Sequence, residues 1–437
     1  MNDALSLVLI AVGILLVLFI IRVPIAVALG LVSFGGITYV RGFDAAWGAL
    51  RTAPYEFGAH WSLSAIPMFL LMGAASFRGG LTGSLFEAMR VWFGRLPGGL
   101  AVATNMASAV FAAASGSSVA SSAAMSRIAV PEMLASKYHP SLATGVVAAS
   151  GTLGALIPPS IIFVIFGWYT QTSIGDLLMA GVIPGLLTAG CYTALILGIA
   201  LWKPEMAPRD TRRPTTAEKF RVLASIWPVP VLILAVIGSI YSGFATATEA
   251  AALGAAAAII LCAIRGTLTR TTIVEMVMDV IKGVGSIFFI ALGASLLTRF
   301  LALSGFPTYM NTLAQAIEFT PLMVIGLLVV VYLILGAFLD PIGIMLITLP
   351  ILLPLFKAAG LDLIWMGVIV VKMIEVGMLT PPVGLNVFVV KASIGDSVSL
   401  GAIFKGVSWF LAAEIVIMSL LVAFPQLSLW LPSLIQH

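Results

Sequence analysis

The 437-residue chain is 61% hydrophobic and only 9% charged, and its formal net charge at pH 7 is +4. Soluble globular domains carry about 25% charged residues, so this composition excludes a soluble globular domain. Apolar runs of roughly 18–20 residues recur along the whole length, which predicts an all-α polytopic membrane protein. The two cysteines, Cys191 and Cys262, lie far apart in apolar runs, and we expect them to fill the core rather than to form a disulfide.

Taken in chain order, the apolar runs predict ten full membrane spans. The predicted spans lie near residues 4–21, 23–40, 61–77, 141–172, 181–201, 225–241, 248–264, 283–303, 364–395 and 401–424.

Two further apolar stretches, 99–134 and 322–356, are broken at their centres. The first contains ASAVFAAASGSSVASSAAMS and the second contains LGAFLDPIGIMLITLPILLP. A polar centre with Gly or Pro between two apolar arms is typical of a re-entrant helical hairpin, which descends into the membrane and returns.

The loop KPEMAPRDTRRPTTAEKFR at 203–221 carries six Lys and Arg residues, which predicts that it is cytoplasmic. When the spans are counted from this loop, the first hairpin opens to the cytoplasm and the second opens to the outside.

An internal repeat relates the two halves of the chain. Pro-Pro occurs at 158–159 and again at 381–382, an offset of 223 residues, and SIGD recurs after both pairs. When 223 is added to the starts of the first three predicted spans, the resulting positions agree within two residues with the starts of three later predicted spans. The sequence therefore predicts two repeats, 1–220 and 221–437, each with five spans and one hairpin. Because five is odd, the repeats must have inverted topology, an architecture of many secondary transporters.

Each proline pair lies inside a predicted span, near 141–172 and near 364–395, and is expected to unwind it. An unwound break exposes carbonyls that suit a small cation and N–H groups that suit an anion. The two breaks read GTLGALIPPS at 151–160 and GMLTPPVG at 377–384, and Ser160 and Thr380 can add hydroxyl oxygens. Packing kinks without a bound ion are the alternative interpretation.

The hairpin tips are expected to close these candidate ion sites from the other side. The first tip offers Ser115, Ser117 and Ser118, and the second offers Gly336 and Asp340. An acid inside the membrane predicts a functional site, although Asp340 can equally cap the helix that follows it. The serines can also serve close helix packing.

Five further charged residues lie in or near apolar segments. Lys372 and Glu375 are spaced to pair along one helix face, either as a structural pair or with a role in gating or substrate charge. Arg127 is the stronger candidate for binding a carboxylate substrate, because Arg299 and Lys391 are expected to extend to the membrane interface.

These motifs together resemble the large membrane subunit of the tripartite ATP-independent periplasmic (TRAP) transporters, in the ion transporter superfamily. The resemblance covers nearly the whole chain. It rests on SGSSVASSAAMSRIAVPEM (115–133), GTLGALIPPS (151–160), FATATEAAALG (244–254), LGAFLDPIGIMLI (335–347) and GMLTPPVGLNVFV (377–389). The family commonly has proline where Ala247 stands, which is expected to alter a helix start and not the function.

The resemblance implies a sodium-coupled importer of a small organic acid, such as a C4-dicarboxylate or sialic acid, in the bacterial inner membrane. It implies two partners, a small four-helix membrane subunit and a periplasmic solute-binding protein. It also implies an elevator mechanism, in which scaffold and transport domains are interleaved in the sequence. Sodium ions are the expected coupling ions, and no other cofactor, no enzymatic activity and no nucleic-acid partner are expected.

The resemblance also assigns ligands by motif. One sodium site would use Gly336, Gly377, Thr380 and Val383, largely through carbonyls, with Asp340 nearby. Its symmetry mate would draw on the 115–118 tip, Gly154 and Ser160, although Ile157 replaces the threonine there. The substrate would be bound by Arg127, Asp340 and Asn386.

Two other functions compete with this interpretation. A stand-alone sodium/dicarboxylate carrier of the same superfamily would need no partner proteins. An intramembrane serine protease would need a base beside Ser117 or Ser118, but His60, His139 and His437 all lie near loops or the terminus. The sequence has no H-E-x-x-H motif, which argues against a metalloprotease. It has no Walker A motif, which argues against an ATP-driven pump.

Overall fold

A computed structural model describes residues 2–209, 214–317 and 320–434, and this part of the chain contains helices and no β-strand. The prediction of an all-α membrane protein is confirmed. The helices are α1 Asn2–Ile20, α2 Ile25–Arg41, α3 Phe43–Gly58, α4 Ala65–Arg78, α5 Leu81–Phe93, α6 Gly99–Ser115, α7 Ser118–Ala135, α8 Pro140–Gly151, α9 Leu153–Leu156, α10 Ile161–Thr170, α11 Ile174–Ala180, α12 Val182–Trp202, α13 Thr216–Ser225, α14 Pro228–Ile233, α15 Ser239–Tyr241, α16 Ala247–Ile264, α17 Arg270–Leu303, α18 Phe306–Ile317, α19 Pro321–Gly336, α20 Pro341–Ala358, α21 Leu363–Leu379, α22 Leu385–Ile394, α23 Leu400–Ala423 and α24 Gln426–Ser433.

Six helical segments in the described residues are long and apolar enough to cross a membrane, or up to eight if each of two bent pairs is one span. This number is lower than the ten spans that the apolar runs predict. The predicted spans at 4–21 and 23–40 correspond to shorter apolar helices, Leu5–Ile20 and Ile25–Arg41. The predicted span at 364–395 is divided into α21 and α22.

The two predicted hairpins are pairs of helices that turn back at their polar centres. In the first, α6 ends at Ser115 and α7 begins at Ser118; in the second, α19 ends at Gly336 and α20 begins at Pro341. The returning arm α20 is itself long enough to be a candidate span. Whether these pairs re-enter the membrane from opposite sides, as inverted repeats require, stays a prediction.

Helices α3 and α5 were not anticipated from the apolar runs. Helix α3 buries Ala46, Ala53 and Phe57 on one side and exposes most of its other residues, so its mixed sequence does not form a continuous apolar run. Together with the segment Trp61–Arg78, it forms one of the two bent pairs, with an angle of 59°. At the repeat offset, the same stretch of the second half is the single 34-residue helix α17.

The core of the protein surrounds α6, α8 and α21. Every residue of α21 from Trp365 to Leu379 is buried, and so is every residue of α8 from Ser141 to Gly151. Small residues allow this close packing, because a Cβ added to Gly145 of α8 would lie 2.5 Å from the carbonyl carbon of Gly406 in α23. The two broken helices and the first hairpin therefore share one buried centre.

Candidate ion and substrate site

The first helix break lies wholly inside the protein. Helix α8 ends at Gly151, the short helix α9 ends at Leu156, and the chain is extended at Ile157 before α10 begins. Ser160 is the N-cap of α10 and accepts a hydrogen bond from the backbone N–H of Phe163. All of residues 151–160 are buried.

The first hairpin tip packs directly on this break. Gly116 has a φ of +63°, and a Cβ added there would lie 2.7 Å from the carbonyl oxygen of Pro159. The Ser118 hydroxyl donates to the Thr152 carbonyl at 3.2 Å. A Cβ added to Gly154 would lie 2.7 Å from the Ser117 carbonyl carbon, so only glycine permits this approach. The tip and the break are thus in backbone contact, as the sequence predicted.

Hydroxyl groups converge at this contact. Ser115 Oγ lies 2.9 Å from Ser121 Oγ, and Ser160 Oγ donates to the Ala155 carbonyl. The buried Ser122 hydroxyl, which lies against Gly151, has no hydrogen-bond partner within the described residues. Since each hydroxyl oxygen keeps acceptor lone pairs, the site retains neutral oxygens that suit a hard cation.

The second helix break is more open. Helix α21 ends at Leu379, and Pro381 and Pro382 are exposed, whereas Thr380 and Val383 are half-buried. The Thr380 hydroxyl donates to the Val376 carbonyl at 2.7 Å, and the Thr380 N–H donates to the Gly377 carbonyl at 3.1 Å. The Gly377 carbonyl therefore already accepts one hydrogen bond, which leaves one lone pair for another ligand.

The second hairpin tip meets the second break at a pair of glycines. A Cβ added to Gly336 would lie 2.7 Å from the Cα of Gly377, and the reverse distance is also 2.7 Å. Asp340 is half-buried and is the N-cap of α20, where Oδ1 accepts from the N–H groups of Ile342 at 3.1 Å and Gly343 at 3.0 Å. The cap that the sequence offered as one interpretation of Asp340 is therefore present, and its role toward an ion or substrate stays a prediction.

The tips share one further feature. Ser117 is the N-cap of α7, as Asp340 is of α20, so the residues paired by the repeat offset occupy the same position at the start of a returning arm. The repeat pairing of these two residues thus has a structural counterpart.

Asn386 connects the two broken helices. Its side chain is fully buried, and Nδ2 donates to the Ala148 carbonyl of α8 at 3.3 Å. Its Oδ1 atom has no hydrogen-bond partner in the described part of the chain. A buried, unused polar atom at this position supports the prediction that Asn386 contacts a ligand.

The three basic candidates differ in their surroundings. Arg127 is exposed on α7 and forms no ion pair with a described residue. In contrast, Arg299 pairs with Glu56, and Lys391 pairs with Asp396 at 3.0 Å. Of these three residues, Arg127 is therefore the one without a described ion-pair partner, and its role in binding a substrate stays a prediction.

Lys372 and Glu375 pair as their spacing predicted, with Lys372 Nζ 3.0 Å from Glu375 Oε2. Two further members of this cluster, Glu414 of α23 and Tyr192 of α12, were not predicted from the sequence. Lys372 Nζ also lies 2.8 Å from Glu414 Oε1, to which the Tyr192 hydroxyl donates. An acid at the centre of the apolar run LAAEIVIM (411–418) was the available signal for Glu414.

Comparison with known proteins identifies the family. Residues 12–427 match the family described as "Tripartite ATP-independent periplasmic transporter, DctM component". The chain belongs to this family. The prediction of a TRAP large permease is confirmed, and with it the prediction that the protein is a multi-pass membrane transport protein and not an enzyme.

Named relatives support the same assignment. The C4-dicarboxylate TRAP transporter large permease protein DctM of Pseudomonas aeruginosa is 35% identical over 87% of this chain and 88% of its own length. The sialic acid TRAP transporter large permease protein SiaM of Vibrio cholerae is 30% identical over 86% and 87%. The isethionate TRAP transporter permease protein DctMQ of Oleidesulfovibrio alaskensis is 32% identical over 85% of this chain but only 58% of its own length.

Solved structures share the fold at low sequence identity. The YdaH transporter of Alcanivorax borkumensis matches with a TM-score of 0.63 at 13% identity, covering 87% of this chain and 89% of that one. MtrF of Neisseria gonorrhoeae matches with a TM-score of 0.60, also at 13% identity, covering 86% and 84%. Both likenesses concern the fold alone.

Proposed function

We propose that this DctM-family chain is the permease subunit of a sodium-coupled secondary transporter that imports a small organic acid. The observation that carries the proposal is the pair of helix breaks, each in backbone contact with a hairpin tip: Gly154 against Ser117, and Gly377 against Gly336. Hydroxyl groups bond to backbone carbonyls beside each contact, those of Ser118 and Ser160 at the buried first break and that of Thr380 at the more open second break. Such a donor set suits a hard alkali cation.

The proposed sodium ligands are those that the family motifs assign. At the second break they are Gly336, Gly377, Thr380 and Val383, with Asp340 at the tip. At the first break they are drawn from Ser115, Ser117, Ser118, Gly154 and Ser160. The geometry of the Thr380 hydroxyl supports the second site. This hydroxyl donates to the Val376 carbonyl in the last turn of α21, so its oxygen lies at the break.

The cargo is inferred from charge and from the named relatives. Helices α7, α10, α20 and α22 all begin at the tips and breaks, and their positive N-terminal ends favour an anion. Asn386, Arg127 and Asp340 are the proposed substrate contacts, of which Asn386 has an unused buried oxygen. Relatives are named for a C4-dicarboxylate, sialic acid and 2,3-diketo-L-gulonate. A small carboxylate is the cargo that these observations favour.

The proposed partners are a small four-helix membrane subunit and a periplasmic solute-binding protein, in the lipid of a bacterial inner membrane. The family description names a tripartite periplasmic transporter of which DctM is one component, and this supports two further components. The compound name DctMQ and the greater length of that relative support a second membrane component.

An elevator mechanism is the proposed mode of movement. In the described state the first break is buried, whereas Pro381 and Pro382 of the second are exposed. The two breaks are related by the repeat but differ in exposure. This difference favours a second state in which the first break is exposed and the second is buried. A moving body that contains both breaks and both tips would achieve this.

Reconstituted vesicles test the proposal. We expect an inward sodium gradient to drive uptake of radiolabelled succinate or sialic acid by the permease, small subunit and binding protein together, and we expect no uptake when the binding protein is omitted. Uptake by the purified chain alone would favour a stand-alone sodium/dicarboxylate carrier. Equal uptake with potassium in place of sodium would contradict sodium coupling.

A ligand screen of the binding protein encoded near this chain would identify the cargo. We expect a carboxylate to raise its thermal unfolding temperature. If only uncharged compounds do so, the proposed cargo class is wrong.

A further inference from the structure

The end of α12 and the start of α23 lie side by side at one end of the helical bundle. The two helices pack against each other. Both reach the start of α8, because the Met206 carbonyl, just past α12, accepts from the N–H of His139 at 2.9 Å, and Gly406 of α23 lies against the Ser141 carbonyl. Helix α12 therefore runs toward this end of the bundle, and α23 runs away from it.

Two lysines flank one pair of tryptophan rings at this end. Trp202 and Trp409 meet edge to face, with their ring centroids 6.2 Å apart. Lys203 Nζ lies 4.5 Å from the ring centroid of Trp202 and 5.9 Å from that of Trp409. Lys405 precedes Trp409 by four residues on α23, which places both on the same side of that helix. Two ammonium groups and two aromatic rings therefore share one surface.

These two lysines have no acidic partner among the described residues. Lys405 is exposed and Lys203 is half-buried, and neither forms an ion pair there. Glu205 is the acid nearest to Lys203 in the sequence, and it is exposed and pairs with neither lysine. A cation–π contact engages the face of the ring and leaves N–H donors of the ammonium group free. The surface therefore carries positive charge and donors for which the described chain supplies no acceptor.

Other cations add to the positive charge of this end. Lys137 lies two residues before His139, and Arg95 lies three residues before Gly98, where an added Cβ would lie 3.1 Å from the Cβ of Ala200 in α12. Both cations are exposed, and neither forms an ion pair with a described residue. The binding partner that this end favours is therefore an anion.

Away from the lysines, the two helices present apolar side chains to their surroundings. Leu186 of α12 and Ile415 and Val416 of α23 are all exposed. Both helices belong to segments that are long and apolar enough to cross a membrane. Tryptophan is enriched at the level of the lipid headgroups, which is where the ring pair would then lie. An anion that fits this surface carries apolar chains beneath its charge.

We propose that Lys203, Lys405 and the two tryptophans bind the headgroup of an anionic phospholipid, whose acyl chains lie along α12 and α23. The phosphate oxygens accept hydrogen bonds from both ammonium groups. A zwitterionic phospholipid is less favoured, because its own cationic group is repelled by the lysines and its net charge is zero. This site goes beyond the transport of a carboxylate, and it does not depend on the proposed function.

Fluorescence quenching by brominated lipids tests the proposal, because bromine quenches tryptophan only at close range. The full-length chain is reconstituted at low salt in phosphatidylcholine vesicles, with brominated phosphatidylglycerol or brominated phosphatidylcholine as the probe. We expect stronger quenching by phosphatidylglycerol at equal mole fraction, and we expect Trp202→Phe together with Trp409→Phe to remove most of this excess. Equal quenching by the two lipids in the unsubstituted protein, or an excess undiminished by the loss of both tryptophans, would overturn the proposal.

Lysine substitutions test the contribution of charge. From the usual contribution of one lysine near an anionic membrane surface, Lys203→Gln and Lys405→Gln should each lower the affinity for phosphatidylglycerol relative to phosphatidylcholine about fivefold. Lys282→Gln is the matched control, because Lys282 is an exposed lysine on α17, outside both helices. An unchanged lipid preference in both lysine variants, or an equal loss in Lys282→Gln, would contradict the assignment.

Salt and inorganic phosphate separate a lipid headgroup from a free phosphate in the unsubstituted protein. Raising the sodium chloride concentration should weaken the preference for phosphatidylglycerol, since salt screens exposed charges. Inorganic phosphate at the same ionic strength should weaken it no further. A preference that salt leaves unchanged would rule out this electrostatic site, and displacement of the lipid by phosphate beyond the effect of salt would assign the site to free phosphate instead.

Discussion

Gly336 and Gly377 let two helices touch because neither residue has a side chain. A Cβ on either would meet the backbone of the other at 2.7 Å, and the backbone cannot move aside as a flexible side chain can. We expect Gly377→Ala to lower the free energy of unfolding by about 1–3 kcal/mol, the usual cost of overpacking, partly offset by the higher helix propensity of alanine.

Gly326→Ala on α19 is the matched control, because a Cβ added there meets nothing within 4 Å. Thermal unfolding in detergent would compare the two variants. Equal stability of Gly377→Ala and Gly326→Ala would mean that the contact between the tip and the break is not close.

Single residues also show where prediction from sequence succeeds. The proline pairs, the tip serines and Asp340 stand out because adjacent prolines, clustered hydroxyls and acids are unusual in apolar spans, and the structure places them at breaks and helix starts. Glu414 was missed because its partner Lys372 is 42 residues away. Sequence spacing along one helix predicts the pairing of Lys372 with Glu375, but it does not predict which two spans face each other.

At the scale of elements, the start of α16 explains why Ala247 is tolerated where the family commonly has proline. Thr246 is the N-cap and forms a capping box with Glu249, which makes Ala247 the first helical residue. Proline is well accommodated at this position, since its missing N–H would have no partner within the helix.

We therefore expect Ala247→Pro to change the free energy of unfolding by less than about 1 kcal/mol. Thr246→Ala should lower it by about 0.5–2 kcal/mol, because it removes the cap. Thermal unfolding of both variants checks the pair. Greater damage from Ala247→Pro than from Thr246→Ala would contradict the capping assignment.

The hydrophobic pattern of each helix explains whether that helix could be predicted from the sequence. Long uniform runs such as α12, α16 and α23 were located within two residues, since each is apolar around most of its circumference. Helices α3 and α5 were missed because only one side of each is buried and their sequences are mixed. The extent of α17 was underestimated because its first half is more polar than its second.

At the scale of the whole molecule, the family and the helical fold follow from the sequence, whereas the division into inverted repeats and the elevator movement remain predictions. Corresponding breaks, tips and caps recur at the repeat offset in both halves. Membrane orientation rests on the basic loop 203–221 alone.

During transport, the two helix breaks are expected to exchange their exposure to solvent. In a chain lacking Cys191 and Cys262, we expect a membrane-impermeant thiol reagent to label Val383→Cys from the outside and to leave Ser160→Cys unlabelled. During turnover, Ser160→Cys should become labelled from the cytoplasmic side. Labelling of both positions from the same side would contradict inverted repeats.

Sodium dependence of uptake by the reconstituted complex, compared between Thr380→Ala and the unsubstituted protein, tests the central claim most directly. Loss of the hydroxyl should weaken apparent sodium affinity about tenfold, a change of about 1.4 kcal/mol, and Thr380→Ser should restore it. Thr38→Ala is the control, because Thr38 makes the same bond to the carbonyl four residues earlier but lies on α2. Sodium dependence in Thr380→Ala that matches the unsubstituted protein and Thr38→Ala would contradict a sodium site at the second break.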